Sequence, residues 1–395
     1  MRSALHSSQL KELIESVYGS WHGAASAVTF PLPLPSEEAG PCRHGQRRYL
    51  WTDSFAILNF LSMAHHRNLT SAHEGERECV EAAKHLAHTV KETLGYPRPD
   101  GNFPMLKRSD GRSGYVGLRI GKLEARSESD AGMAFDGQYW HYLDKWLFAN
   151  SRLALYLEDK SMVGEVMMDA KEILEKFLSV NNNGTPQGLH WKLNTDMSPI
   201  VSLGRPRPSS DAVSAYVVYN VIEQTAKKLG YTKHSLEKEI EALRQVALQY
   251  SHAQLQIPNP LLVDPLGWGL NMWELQWLGP LEDKEHVKHR FCSFKDRAMD
   301  VSQAGGLPFR LYGAVLGGLL SEDKPTFKMA KSIVNDIESK LNTDSNADQG
   351  AISKVHGLFS INRVMFCSTI DPWAFSRQPH EELLDFFVSP IESKS

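Results

Sequence analysis

Two kinds of helical segment alternate along the chain, and that alternation narrows the fold more than any single motif. Tyr49–Ala64, Gly137–Leu157, Ser210–Ala226, Trp268–Leu278, Leu307–Leu320 and Gly357–Cys367 are apolar and aromatic on nearly every side. A helix hydrophobic all round has to be buried. Ser8–Trp21, Glu74–Leu94, Ser161–Val180, Lys233–Gln254, Lys284–Val301 and Lys324–Leu341 are amphipathic and rich in charge. In Lys233–Gln254, for instance, Leu236, Ile240, Leu243, Val246, Ala247 and Tyr250 form one stripe, with Glu237, Lys238, Glu241 and Arg244 opposite. Six buried helices alternating with six surface helices predict an all-α, double-walled ring, an (α/α)6 toroid of six helical hairpins. The 395 residues exceed the size at which one core usually splits into domains. A ring grows by repetition, so a single domain over 1–395 is expected.

Composition removes several function classes. A net charge of −4 argues against a nucleic-acid binder, which carries a strong basic field. Cys42, Cys79, Cys292 and Cys367 form no CxxC pair, so neither a zinc ribbon nor a disulfide framework is expected. No stretch approaches the ~20 apolar residues that span a bilayer. The first residues lack an apolar signal core, and Glu12 and Glu15 do not suit a mitochondrial presequence. The expectation is a cytoplasmic protein with reduced thiols and a small-molecule substrate, without nucleic-acid or membrane partners.

The starts of the buried helices are polar or aromatic: Trp51-Thr52-Asp53, Phe135-Asp136-Gly137, Ser209-Ser210-Asp211, Leu266-Gly267-Trp268, Gly306-Leu307-Pro308 and Val355-His356-Gly357. In a ring of parallel inner helices these starts share one face, which gathers their side chains around one opening. The segment 96–135 is the longest irregular stretch, and such loops are uncommon unless functional. Val116–Ile120 is expected as a short strand of a hairpin over that opening. Lys107, Arg108, Arg112, Arg119, Lys122 and Arg126 make the loop basic, which allows for an anionic group on the substrate.

Inner helices opening with Trp51-Thr52-Asp53-Ser54-Phe55 and Asp136-Gly137-Gln138-Tyr139-Trp140-His141-Tyr142 resemble the six-hairpin glycosidase-like superfamily. It includes glycoside hydrolases and the N-acylglucosamine 2-epimerase-like isomerases. The resemblance is one of architecture over nearly the whole chain. It implies the toroid as a fold, and sugar chemistry by fold-level analogy.

Glycoside hydrolysis uses two carboxyl groups, one protonated as acid and one ionised as base or nucleophile. Asp53, Asp136 and Asp211 stand at helix starts, where an N-cap is the competing role. Glu274 lies among Trp268, Trp273 and Trp277, where a carboxylate is costly unless paired or protonated. Isomerisation would instead use a histidine base, for which His141 and His356 are the candidates. Trp51, Tyr139, Trp140 and Trp268 offer faces for a sugar ring, and Asp144, Arg310 and Arg363 are polar groups on apolar helices that a substrate could satisfy. Asp136 ranks first, because Asp136, Trp140 and Asp144 at four-residue steps would line one polar stripe. No metal motif is present: His73-Glu74-Gly75-Glu76-Arg77 lacks the second histidine of HExxH. Gly114–Lys122 fails as a phosphate loop, because Gly117 and Gly121 are one residue too close and Leu123 replaces Ser or Thr. No cofactor is expected. The sequence thus predicts a glycoside hydrolase-like enzyme, with a histidine-based epimerase, a lyase or a non-catalytic ligand-binding toroid as alternatives.

Overall fold

The all-round apolar segments do form helices, and each lies against the next. The computed structural model describes residues 2–19, 48–69, 73–98, 104–122, 135–255, 264–278, 292–300, 307–343 and 360–377. Among the described residues 66% are helical. In chain order the helices are α1 (Arg2–Tyr18), α2 (Leu50–Leu69), α3 (His73–Leu94), α4 (Trp140–Tyr156), α5 (Lys160–Phe177), α6 (Ser210–Lys228), α7 (Glu237–Leu255), α8 (Pro265–Leu275), α9 (Lys295–Ala298), α10 (Pro308–Leu319), α11 (Lys324–Thr343) and α12 (Ser360–Ile370).

Six of these pack in sequence. Helix α2 contacts α4, α4 contacts α6, α6 contacts α8, α8 contacts α10, α10 contacts α12, and α12 returns to α2. The amphipathic helices cover this cycle: α3 packs on α2, α5 on α4 and α6, α7 on α6, α11 on α10, and α1 on α12. Helix α5 shows how local signals build one such element. Asp159 caps it by accepting from the N–H groups of Ser161 and Met162, and Val163, Val166, Met167, Ala170, Ile173, Leu174 and Phe177 form the buried stripe.

The closest approach is between α8 and α10. A Cβ on Gly317 would lie 2.6 Å from Gly269 Cα, and one on Gly269 would lie 2.7 Å from Ala314 Cα. Only glycine allows these two backbones to touch.

Strands are confined to connections. Strand β1 (Gln138–Tyr139) pairs antiparallel with β4 (Lys192–Leu193), and β2 (Leu178–Val180) with β3 (Pro186–Leu189). Two expected boundaries are corrected. The second inner helix begins at Trp140, not Gly137, because Gln138 and Tyr139 are drawn into extended pairing with Leu193 and Lys192. The fourth begins at Pro265, because Asp264 caps it and proline is favoured at the first helical position. Of the outer segment Lys284–Val301, residues 284–291 lie outside the described residues, and the described part contains α9.

Val116–Ile120 is not a strand. The only bridge in this loop among the described residues joins Lys107 to Tyr115. The bonds around 116–120 go to separate places instead: Val116 N–H to Leu106, Arg119 N–H to Leu94, Ile120 N–H to Gly137, and Leu50 N–H to Ile120.

Candidate active site

The starts of the six packed helices border one cavity of about 290 Å³. That is near the lower end of the size range for small-molecule pockets. Its lining includes Trp51 from α2; His141, Tyr142 and Lys145 from α4; Ser210, Asp211 and Ser214 from α6; Asp264, Asn271 and Glu274 at α8; Phe309 and Arg310 from α10; and Ile361 from α12.

One wall is aromatic. The Trp51 ring lies 5.9 Å from His141 and 5.6 Å from Tyr142, centroid to centroid, and the indole N–H points to Met365 Sδ at 3.4 Å. The opposite chemistry comes from α4, α6 and α8. Lys145 Nζ, 1% exposed, donates to Asp144 Oδ2 at 2.8 Å and to the Ser214 hydroxyl, which itself donates to the same Asp144 oxygen. The Lys145 ammonium also lies 4.6 Å above the Trp273 ring and 3.6 Å from Glu274 Oε1. Glu274 is 2% exposed, and with the Ser214 hydroxyl, its nearest donor, given to Asp144, neither of its oxygens keeps a hydrogen bond of its own; Asp144 Oδ1 is likewise buried without one.

Electrostatics follow from this crowding. Burial pushes the Glu274 carboxyl up to about 7; Lys145 and the nearby Ser214 hydroxyl pull it down, while Asp144 and Asp211 push it further up. Asp211 rises to about 6 through burial and the Asp144 charge, with Lys145 opposing. His141 falls to about 4 through burial and its Lys145 neighbour, so its imidazole is neutral near pH 7. Three carboxyls thus share one ammonium, and they cannot all ionise at equal cost.

No family model, curated protein or solved structure matches this chain. The site therefore has to be argued from its own residues. Among the described residues no group of His, Cys, Asp and Glu is arranged to hold a metal ion, and no helix is long and apolar enough to cross a membrane.

Of the residues singled out from the sequence, Trp51, His141, Asp211, Glu274 and Arg310 line the cavity, and Asp144 stands just behind it through Lys145 and Ser214. Others lie elsewhere. Asp136 is four residues ahead of α4, so the stripe through Trp140 and Asp144 does not include it. Its Oδ1 accepts from the N–H groups of Gly121, Lys122 and Gly137, and its Oδ2 from Arg119 at 2.8 Å. Arg119 also donates to the carbonyls of Thr93 and Tyr96, so Asp136 fastens the loop to the end of α3.

Asp53 sits in the first turn of α2 and caps nothing there; it accepts from Tyr18 at 2.7 Å and lies 3.6 Å from Arg48 Nε, tying α1 to α2. Tyr139 is a strand residue beside Trp191, and Trp140 packs on Phe177 and Tyr219. Trp268 is buried outside the lining, and Arg363 donates to the Ser16 carbonyl. His356 lies outside the described residues.

The described part of the basic loop does not line the cavity, and Arg126 lies outside the described residues. Arg108 and Arg112 pair with Asp169 and Glu172 on α5, Arg119 pairs with Asp136, and none of 104–122 lines the cavity. Sequence reasoning missed Ser214 and Asp264. Asp264 accepts from Gly267 N–H and pairs with Arg310 at 3.0 Å on the rim. The Asp-Pro step at 264–265 was the available signal, since it reads as an N-cap followed by proline.

Proposed function

We propose that the helical cycle is an (α/α)6 toroid and that the cavity at its helix starts is the active site of a carbohydrate-active acid–base enzyme. The single observation that carries this reading is Glu274, a fully buried carboxyl that lines the cavity without a hydrogen bond. A carboxyl held near neutrality beside a more acidic one is the arrangement that divides acid and base roles between two like groups. Glu274 serves as the acid, giving its proton to the oxygen of the leaving group. Asp211 serves as the base or nucleophile on the other partner of the bond. The pair Lys145–Asp144, with Ser214, holds its charge fixed behind them.

The aromatic wall of Trp51 and Tyr142 suits the apolar face of a sugar ring, and the six-hairpin resemblance points the same way by analogy. Carboxyl chemistry is favoured over a histidine-driven isomerisation, because burial beside Lys145 makes His141 a weak base. Hydrolysis of a small saccharide is therefore the leading reading.

A panel of aryl glycosides and short oligosaccharides tests it, followed by release of the aglycone or reducing ends. Turnover is expected to peak between the limbs set by Asp211, about 6, and Glu274, about 7. Glu274→Gln and Asp211→Asn are each expected to lose at least ~10²-fold in kcat/KM while remaining folded. A Glu274→Gln protein with full turnover would sink the assignment.

A further inference from the structure

The cavity holds more negative than positive charge. Asp211 and Glu274 line it and Asp144 stands just behind Lys145 and Ser214, so three helices each bring a carboxyl, whereas the ammonium of Lys145 is the one buried cation among the described residues that line it. At the rim Arg310 and Asp264 pair with each other at 3.0 Å and offset. His141 is neutral near pH 7, and Tyr142 keeps its proton because burial raises its pKa. These are the charged and titratable groups that α4, α6, α8 and α10 turn towards Glu274; α2 and α12 contribute Trp51 and Ile361 to the lining.

Two of the carboxyls are open. Both Glu274 oxygens and Asp144 Oδ1 are buried without a hydrogen-bond donor, and Lys145 approaches Glu274 only to 3.6 Å. A buried carboxyl without a donor is unfavourable, so a ligand that brings donors is favoured there. One that also brings positive charge offsets the excess of carboxyls over ammonium. The aromatic rings of Trp51 and Tyr142 on the facing wall tolerate a cation and disfavour an anion.

We propose that this cavity selects a substrate bearing a protonated amine, an amino-sugar-like molecule whose ammonium sits beside the carboxyls of Asp211 and Glu274, with the Asp144 charge behind them. The inference rests on the carbohydrate reading above and sharpens it. It also replaces the anionic substrate group that the basic loop suggested, since the guanidinium groups of Arg108, Arg112 and Arg119 are engaged with Asp136, Asp169 and Glu172. A second consequence follows from the same geometry. An ammonium beside Glu274 favours its ionised form, so amine binding drives part of its proton into the buffer. The high-pH limb of turnover, which Glu274 sets, then falls at lower pH for an amine substrate than for its hydroxyl counterpart.

Three probes that share one ring and differ in charge separate the outcomes: D-glucosamine, D-glucose and D-glucuronate. Their binding to the full chain is measured by titration calorimetry at pH 7, in phosphate and in HEPES, whose heats of ionisation differ. Glucosamine is expected to bind at least ~10-fold more tightly than glucose, with glucuronate weakest. Its apparent enthalpy should differ between the buffers by the heat of a fractional proton release. The preference should shrink as salt is raised and as pH falls to 5, where Asp211 and Glu274 take up protons. In Glu274→Gln the proton release should vanish while the circular dichroism spectrum is unchanged.

If glucose binds as well as glucosamine, or glucuronate binds more tightly, the amine inference is overturned and the carbohydrate reading stands. If none of the three binds or shifts the melting temperature, the carbohydrate reading fails and takes the inference with it.

Discussion

Replacing Glu274 with glutamine is expected to stabilise the protein above neutral pH, even as it removes the group assigned to proton transfer. The folded chain holds the Glu274 proton up to about pH 7, whereas an unfolded chain releases it near the ordinary glutamate value of 4.5. A folded pKa above the unfolded one means that stability is complete at low pH and declines as pH rises between the two values. At about 1.4 kcal/mol per tenfold step, the decline amounts to about 3 kcal/mol by pH 8. Glutamine is neutral throughout and escapes it, and the Lys145–Asp144 pair remains to balance the ammonium. For 395 residues the entropy of unfolding is about 0.8 kcal/mol per degree, so Glu274→Gln should melt about 4 °C above wild type at pH 8. At pH 4 the two should coincide. The assay is thermal unfolding by circular dichroism across pH 4 to 8. If the difference in melting temperature is the same at pH 4 and pH 8, the carboxyl does not ionise against a penalty, and the argument for it as an acid near neutrality fails.

Three further outcomes are expected. Asp136→Asn should destabilise by about 3–5 kcal/mol in urea unfolding, because the amide NH2 would face either Arg119 or the three backbone N–H groups, and the guanidinium would lose its buried counter-charge; a loss under ~1 kcal/mol would refute the clasp. Gly317→Ala should cost about 1–3 kcal/mol or more, since its methyl would meet Gly269 Cα at 2.6 Å, and wild-type stability would show that α8 and α10 are not in contact. Lys145→Met should destabilise by about 3–5 kcal/mol at pH 8 and much less at pH 5, where Asp211 and Glu274 take up protons; a loss independent of pH would mean that Lys145 acts by packing alone.

The helices were legible because their burial is local information: a segment such as 210–226, apolar on every side, has one stable environment. The starts were legible only where the chemistry is equally local. Gln138 and Tyr139 are taken from the helical pattern by Lys192 and Leu193, a partner that nothing near them in the chain announces. The same long-range pairing accounts for the misplacement of Asp136. Its polarity reads as a line to substrate, but its partners are Arg119 and three backbone amides from a loop with no periodic signal. Glu274 could be singled out because a carboxylate among tryptophans is costly in almost any fold. Lys145 and Ser214 could not be given roles, since only the packing of α4 against α6 brings their side chains to Asp144.

Helix α1 buries Leu10, Leu13, Ile14 and Tyr18, and its principal neighbour is α12, more than three hundred residues later in the chain. Helix α2 likewise waits for α12 on one flank: Trp51 Nε1 reaches Met365, and the Asn59 amide donates to the Val364 carbonyl. During synthesis, then, the flanks of α1 and α2 that face α12 have no lasting partner until α12 has been made. At 5–20 residues per second that interval is of the order of tens of seconds. Over that time the nascent chain presents an open, sticky edge, which makes a holding chaperone a natural companion of its birth and makes truncated chains that end before α12 prone to aggregate.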